Sequence, residues 1–427
     1  MDYLKIGEKP LIYQINLLKP SNWFYLSIYY KAGYVFENKI NNQLPHLFEH
    51  YLFFLLIKGG IPENYIKAYV DKEFIEFDFR FPRKKLSKYL KIIINNIVNL
   101  DFSYQNILER EKKVVHNEVM EINNNNLERY SHHLIEEQLL TKNCPYVKAY
   151  DYFQSNLIQK LTINDLKNFY NSRIRFLMPT ICFGGYKITK DELHQFKELL
   201  LKVDWGSCNE ISFPQCQIMT NQIKDIKNKH LNKGVYLVFA FPISNFNKLN
   251  FIQKKAIRIL LEDIVNHPSP YNLEVSLREI GIYKTSLEIF FYQKFGYFYY
   301  SIFVEHNQII EIAQVFKKTI EYFKKKDNLY KIIKESIKDI SSQRKIDNDN
   351  EKRFFYFSDI LVKENDVPLN DKKYIKTLFS LKPLFWKKLI NNLFDWNKIN
   401  ILIIHNGLKK TELKLTKNTL SHLIKNF

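Results

Sequence analysis

Glycine and cysteine are scarce in this chain: its 427 residues contain only 11 and 4 of them. With so little glycine there is no phosphate-cradling Gly-rich loop. Cys144, Cys182, Cys208 and Cys216 form no Cys-x-x-Cys pair, which argues against a thiolate zinc site and against zinc-finger spacing. Cys182 lies in an apolar run and reads as a core residue. Cys208 and Cys216 are close enough in sequence to pair, and the overall usage suits a reducing compartment. Long hydrophobic runs are also missing. The longest, Tyr51 to Ile57, is far too short to span a bilayer. The first residues carry no signal-peptide core. The expectation is a cytoplasmic protein with no membrane insertion. Clustered basic–aromatic patches are missing too, although the net charge is +19. The sharpest basic run is Lys324 to Lys326, and the remaining lysines are spread along the chain. Nucleic acid is therefore not an expected partner. The charge reads as a solvated surface or as complementarity to an acidic partner or substrate.

What is present is apolar and aromatic: 46% hydrophobic residues and 15% Phe, Trp and Tyr. That suffices for two cores, and the length favours two domains. The chain divides into residues 1–204, a linker at 205–234 without clear periodicity, and residues 235–427. Strands are expected at 22–36, at Phe74 to Phe81, at Thr180 to Phe183 running into Gly184-Gly185, at 235–241, 283–291 and 295–304, and at Ile401 to Ile404. Phe77, Phe79 and Phe81 alternate with Glu76, Asp78 and Arg80, the period of a half-buried strand. Helical patterns occupy about 46–56, 84–99, 104–123, 126–141, 163–172 and 190–203, then 247–266, 270–280, 307–325, 328–345 and 382–394. Each half ends with a helix followed by a core strand, which suggests an internally duplicated α+β unit. The fold class expected is α+β: two tandem, structurally repeated α/β-sandwich domains, each a mainly antiparallel sheet packed by helices.

The chemistry concentrates at His46-Leu47-Phe48-Glu49-His50. Pro45 suits the first turn of a helix, where its missing N–H costs nothing. On that helix His46 and His50 are one turn apart on one face. Catalytic zinc takes three protein ligands and leaves a position open. Glu49, next to His50, can accept a proton from a water attacking a carbonyl carbon. The order is the inverse of the commoner zincin motif. The flanks Leu47, Phe48, Leu52, Phe53 and Phe54 are apolar, so two imidazoles and a carboxylate among them need buried partners. For a third ligand the helix around Leu108 to Ile122 offers Glu111, Glu118 and Glu121. Glu111 and Glu118 share a face and Glu121 lies about a turn further, so periodicity leaves the choice open.

These residues resemble the insulinase (pitrilysin-like) family of zinc peptidases. In that family the zinc helix precedes an edge strand resembling Tyr-Leu-Asn-Ala-Tyr-Thr, and this chain has Tyr65-Ile-Lys-Ala-Tyr-Val70. A later helix of the form Glu-x-x-x-Val-x-x-Glu matches Glu111 to Glu118. Asn143-Cys-Pro-Tyr146 with Leu161 to Leu166, and Leu277-Arg278-Glu279 with Gly281-Ile-Tyr283, resemble further family stretches. The resemblance implies one Zn2+ per chain held by His46, His50 and Glu118, with Glu49 as base and Glu111 assisting. It also implies that Lys67 and Ala68 of the edge strand, with Arg278 and Tyr283, bind the substrate backbone. Three features depart from the family. His50 and Glu118 are 68 residues apart, several fewer than usual. Lys67 stands where the edge strand has Asn. Arg278 and Tyr283 are unusually close together.

The implied activity is that of a zinc metalloendopeptidase acting on short or unstructured peptides, including peptide maturation. The peptide would add as a strand to Tyr65–Val70. Long family members close a chamber from four such domains. With two, this chain is expected to form a homodimer or a heterodimer with a related subunit. The competing expectation is a non-catalytic partner subunit, against which the intact His46/Glu49/His50 set counts.

Overall fold

The computed structural model describes residues 3–37, 43–125, 134–141, 144–148, 157–201, 203, 205, 211–216, 218–228, 231, 234–266, 272–343, 349–369 and 371–425. The chain forms two compact units. The first comprises Met1–Tyr130, Lys142–Gln215 and Lys345–Pro368; the second comprises Ser131–Thr141, Cys216–Arg344 and Leu369–Phe427. Each unit thus includes a short segment from the other half of the sequence. Each contains one sheet of mainly antiparallel strands packed by helices, so the fold is α+β.

In the first unit the strands are β1 (Tyr3–Glu8), β2 (Leu11–Leu17), β3 (Trp23–Tyr30), β4 (Ile66–Val70), β5 (Ile75–Pro82) and β6 (Thr180–Tyr186). Their order is β1-β2-β6-β3-β5-β4, and β2–β6 is the parallel pair. Period-two alternation sends Phe24, Leu26 and Ile28 of β3 and Phe77, Phe79 and Phe81 of β5 to one face. Helices α1 (Leu44–Lys58), α2 (Leu86–Val98) and α3 (Gln105–Asn125) pack there. Leu47, Phe48, Leu52, Leu90, Ile93, Leu108 and Val115 complete the core. Each such side chain contributes about 1.5–3 kcal/mol on burial. The turn after β3 is pinned by Gly33, where a Cβ would lie 2.4 Å from the Asp71 carbonyl oxygen.

The second face of this sheet departs from expectation. The alternation in β5 predicts Glu76 and Asp78 facing solvent, yet both are buried. The cause is α4 (Asn350–Val362), a helix from the second half of the sequence that packs on β2, β3 and β6. Phe354 stacks on Tyr25 at 5.6 Å, and a Cβ on Gly184 would come within 2.7 Å of the Phe354 ring. Burial of the polar face is compensated by specific partners. Ser27 Oγ donates to Asp78 Oδ1 at 2.5 Å, and Lys363 Nζ meets Glu76 Oε2 at 2.5 Å and Asp359 Oδ1 at 3.3 Å.

The second unit repeats the plan with β7 (Gln222–Lys227), β8 (Val235–Pro242), β9 (Thr285–Phe291), β10 (Gly296–Val304) and β11 (Asn400–His405), in the order β7-β11-β8-β10-β9. Here β7–β11 is the parallel pair, in the position of β2–β6. Helix Phe251–Asn266 follows β8 as α1 follows β3, and Lys410–Lys425 follows β11 as Lys190–Leu201 follows β6. The duplication read in the sequence is thus present in the topology. Strand β7 falls inside the stretch read as linker. Helices Asn350–Val362, Asp371–Ser380 and Lys410–Lys425 are additional to those expected.

Cys182 is a buried free thiol, and Cys144 and Cys216 are disulfide-bonded. Cys208 lies outside the described residues, as do residues 126–133 of the helix expected at 126–141. No helix among the described residues is long and apolar enough to cross a membrane.

Candidate metal centre

Helix α1 begins where the sequence places it. Gln43 adopts a left-handed conformation (φ 61°), and Pro45 occupies the first turn. The Leu44 N–H donates to Glu37 Oε1 at 2.7 Å, so a side chain satisfies a donor that the helix end would leave unpaired. Burial pushes the Glu37 carboxyl up to about 8. From this start His46 and His50 fall on the side facing α3, while Leu47, Phe48, Tyr51 and Leu52 enter the core. Helix α3 is fixed by Leu108, Val115 and Val119, whose spacing keeps them on one buried face. Glu111 and Glu118, seven residues apart, both turn toward α1.

The result is a compact donor set. His46 Nε2 and His50 Nε2 lie 3.2 Å apart. Glu118 Oε2 is 3.2 Å from His46 Nε2 and 3.5 Å from His50 Nε2. These three residues offer ligand atoms within 4.8 Å of one another. Metal–ligand bonds of about 2.1 Å in tetrahedral geometry require donor–donor separations of about 3.4 Å. Two imidazoles and a carboxylate at 3.2–3.5 Å therefore fit a zinc ion in both donor type and spacing. Glu121 is exposed and stands outside the cluster, which separates the three carboxylates that periodicity leaves open.

The other carboxylates take distinct positions. Glu111 Oε2 lies 3.1 Å from His50 Nδ1. A proton on Nδ1 donated to Glu111 leaves the Nε2 lone pair free for a metal. Arg110 holds the other oxygen of Glu111, its Nε at 2.7 Å and Nη2 at 2.5 Å. Burial opposes ionisation of Glu111, but hydrogen bonds from His50 and Arg110 overcome it and keep the carboxyl below its ordinary range. Burial likewise opposes a charged His50, yet Glu111 and Glu118 outweigh it and push the imidazole up to about 10. Hydrogen bonds with His46 and His50 hold Glu118 well below the usual carboxylate range. Glu49 Oε2 sits 3.8 Å from His50 Nε2. Its carboxyl is raised by burial, and the neighbouring imidazoles offset only part of that rise.

A cavity of about 650 Å³ adjoins these groups. Glu49, His50 and Glu111 form its polar end, Phe53, Phe54, Ile57 and Ile66 its apolar wall, and Lys67, Ala68 and Tyr69 of β4 its flank. Among the described residues β4 is an edge strand of the sheet, so its outward main chain can accept another strand. Lys67 and Ala68 thus lie on the edge strand and line this cavity. Arg278 and Tyr283 belong to the second unit. Arg278 ends helix Leu273–Arg278 and pairs with Glu274 at 2.7 Å, and Tyr283 is 75% exposed. Arg110 escapes the sequence reading because Glu109-Arg-Glu-Lys-Lys113 looks like any solvated helix face.

No family model matches this sequence, and no curated protein sequence matches it. Solved structures do. The periplasmic protease PqqL from Escherichia coli superposes with a TM-score of 0.73 at 13% identity, covering 98% of this chain and 50% of that one. A protease from Helicobacter pylori gives 0.71 at 14% identity, with 94% and 98% covered. A peptidase M16 inactive domain from Pseudomonas fluorescens gives 0.74 at 13% identity, with 95% and 98% covered. The fold is that of the M16 peptidases. At these identities the likeness is one of architecture, and the chain spans half the length of the PqqL chain.

Proposed function

We propose that this chain is a zinc-dependent metalloendopeptidase acting on short or unstructured peptides. The observation that carries the reading is the meeting of His46, His50 and Glu118 at one point, beside an unligated Glu49 and a free strand edge. His46, His50 and Glu118 would hold one zinc ion. When bound, zinc would acidify a water and polarise the scissile carbonyl.

Glu49 takes the proton from the attacking water at its carboxylate and delivers it to the leaving amine. Its burial raises its proton affinity, which suits a group that must accept and then return a proton. Glu111 fixes the orientation of His50 through Nδ1, and Arg110 fixes Glu111. The peptide lies along β4 as an added strand, bonded through its main chain near Lys67 and Ala68. The apolar wall of Phe53, Phe54 and Ile57 receives a bulky side chain next to the cleaved bond. Arg278 and Tyr283 hold the substrate backbone or the developing oxyanion in their own or a partner chain's site.

A homodimer or a heterodimer with a related subunit is proposed, since this chain matches one half of the PqqL chain. An enzyme that is fully active as a strict monomer in sedimentation would refute the pairing. The second reading, a non-catalytic subunit, is favoured by the likeness to an M16 domain described as inactive. The two are separated by purified wild type and Glu49→Gln on an unstructured peptide, with zinc measured in both. The enzyme reading requires zinc in both and cleavage by wild type alone. Equal, slow cleavage by the two would leave the subunit reading.

A further inference from the structure

Lys67 stands at the free edge of the first sheet, beside the groups proposed to perform the chemistry. It pairs across to Asp78 on β5, and among the described residues no strand adjoins the other side of β4. Its side chain is 59% exposed, and the residue lines the same cavity as Glu49 and His50. Among the described residues its ion-pair partner is Glu351 of α4, at 3.6 Å. That carboxylate is already engaged by Arg80, at 2.5 Å. Two cations thus share this one anion.

Glu76 is held by Lys363, and Asp78 accepts from Ser27, both beneath the surface. On the opposite wall of the cavity Arg110 is matched by Glu111. An exposed ion pair at the Lys67–Glu351 distance contributes little, so the Lys67 ammonium is available to a carboxylate arriving beside β4.

A strand laid against β4 would place one of its side chains directly beside Lys67, on the same face and about 5 Å away between Cβ atoms. Its neighbours in sequence would point to the other face, toward Phe53 and Phe54. Resting on the peptidase reading, we infer that Lys67 is a specificity residue selecting peptides with an aspartate or glutamate at the position opposite it. The chain's +19 charge would add long-range attraction for such peptides.

The test is a series of otherwise identical peptides carrying Glu, Gln or Lys at each position around the cleaved bond, with kcat and KM measured for wild type, Lys67→Gln and Lys67→Glu. Wild type should favour Glu over Lys at one position by about fivefold in kcat/KM, mainly through KM, as an exposed cross-strand charge pair would give. Lys67→Gln should erase that preference, and Lys67→Glu should reverse it. High salt should flatten it in wild type. Cleavage of the whole series without charge preference would overturn the inference while leaving the peptidase reading intact. A preference that survives Lys67→Glu would also overturn it. If wild type and Glu49→Gln cleave no peptide differently, the underlying reading falls and the inference with it.

Discussion

The two units share the order of five strands, β2-β6-β3-β5-β4 in the first matching β7-β11-β8-β10-β9 in the second, yet only the first assembles a metal-type donor set among the described residues. Helix α1 and helix Phe251–Asn266 are topological equivalents, each following the central strand of its sheet. The first carries His46, Glu49 and His50; the second, FIQKKAIRILLEDIVN, contains no histidine. The second unit does bury a histidine with a carboxylate, His405 Nε2 at 3.6 Å from Asp225. There Lys417 also takes Asp225, so a cation occupies the role that a metal would need. A duplicated scaffold thus supplies two frames, and the chemistry depends on a few side chains placed in one of them.

The sharpest way to break this comparison is through metal content. His46→Ala and Glu118→Gln should each take zinc from about one per chain to none, whereas His405→Ala should leave it unchanged, as measured by elemental analysis after dialysis. Zinc loss on His405→Ala would place the site in the wrong unit. Next in size is the proton-transfer step. Glu49→Gln should keep zinc and lower kcat by about 10²–10⁴-fold, the range for a positioned general base. An undiminished kcat would assign proton transfer elsewhere.

Much of this site was legible because it is built from local periodicity. The i, i+4 spacing of His46 and His50 and the i, i+7 spacing of Glu111 and Glu118 are properties of single helices, and resemblance joined them. The burial of Glu76 and Asp78 was not legible, since α4 arrives from residues 350–362 and no local pattern in β5 announces it. Strand β7 was missed for a related reason. Its sequence, QIKDIK, has four polar residues in six and becomes a strand by pairing in parallel with β11 at the sheet edge. Periodicity alone did not separate Glu118 from Glu121, because both lie within a turn of each other on the helix; the resemblance chose Glu118, the one that stands beside the two histidines.

A smaller effect sharpens the comparison within the first unit. Glu111→Gln keeps an oxygen near His50 but loses the charge that holds the Nδ1 proton and the bond to Arg110. Partners of this kind typically change metal affinity or activity by about 10–100-fold. A chelator competition assay should therefore show weaker zinc binding with an unchanged fold. If affinity is unchanged and only kcat falls, Glu111 acts on the substrate rather than on His50.

The smallest expected effect concerns stability alone and tests whether Asp78 is buried in solution. Burial first, and then the neighbouring Glu76, raise the Asp78 carboxyl well above its ordinary range. A carboxyl raised in the folded state stabilises most below its unfolded value near pH 4, where it is protonated in both states. That contribution is lost as pH rises toward the folded value. Asp78→Asn cannot ionise and retains an oxygen for the Ser27 hydroxyl. Relative to wild type, the variant should therefore gain little or nothing at pH 4 and become more stable toward pH 8. The difference in Tm should be roughly 2–4 °C, the scale on which 1 kcal/mol registers in a domain of this size. A Tm difference independent of pH would mean that Asp78 titrates as a solvated carboxylate. That would return β5 to the half-buried strand its alternation suggests.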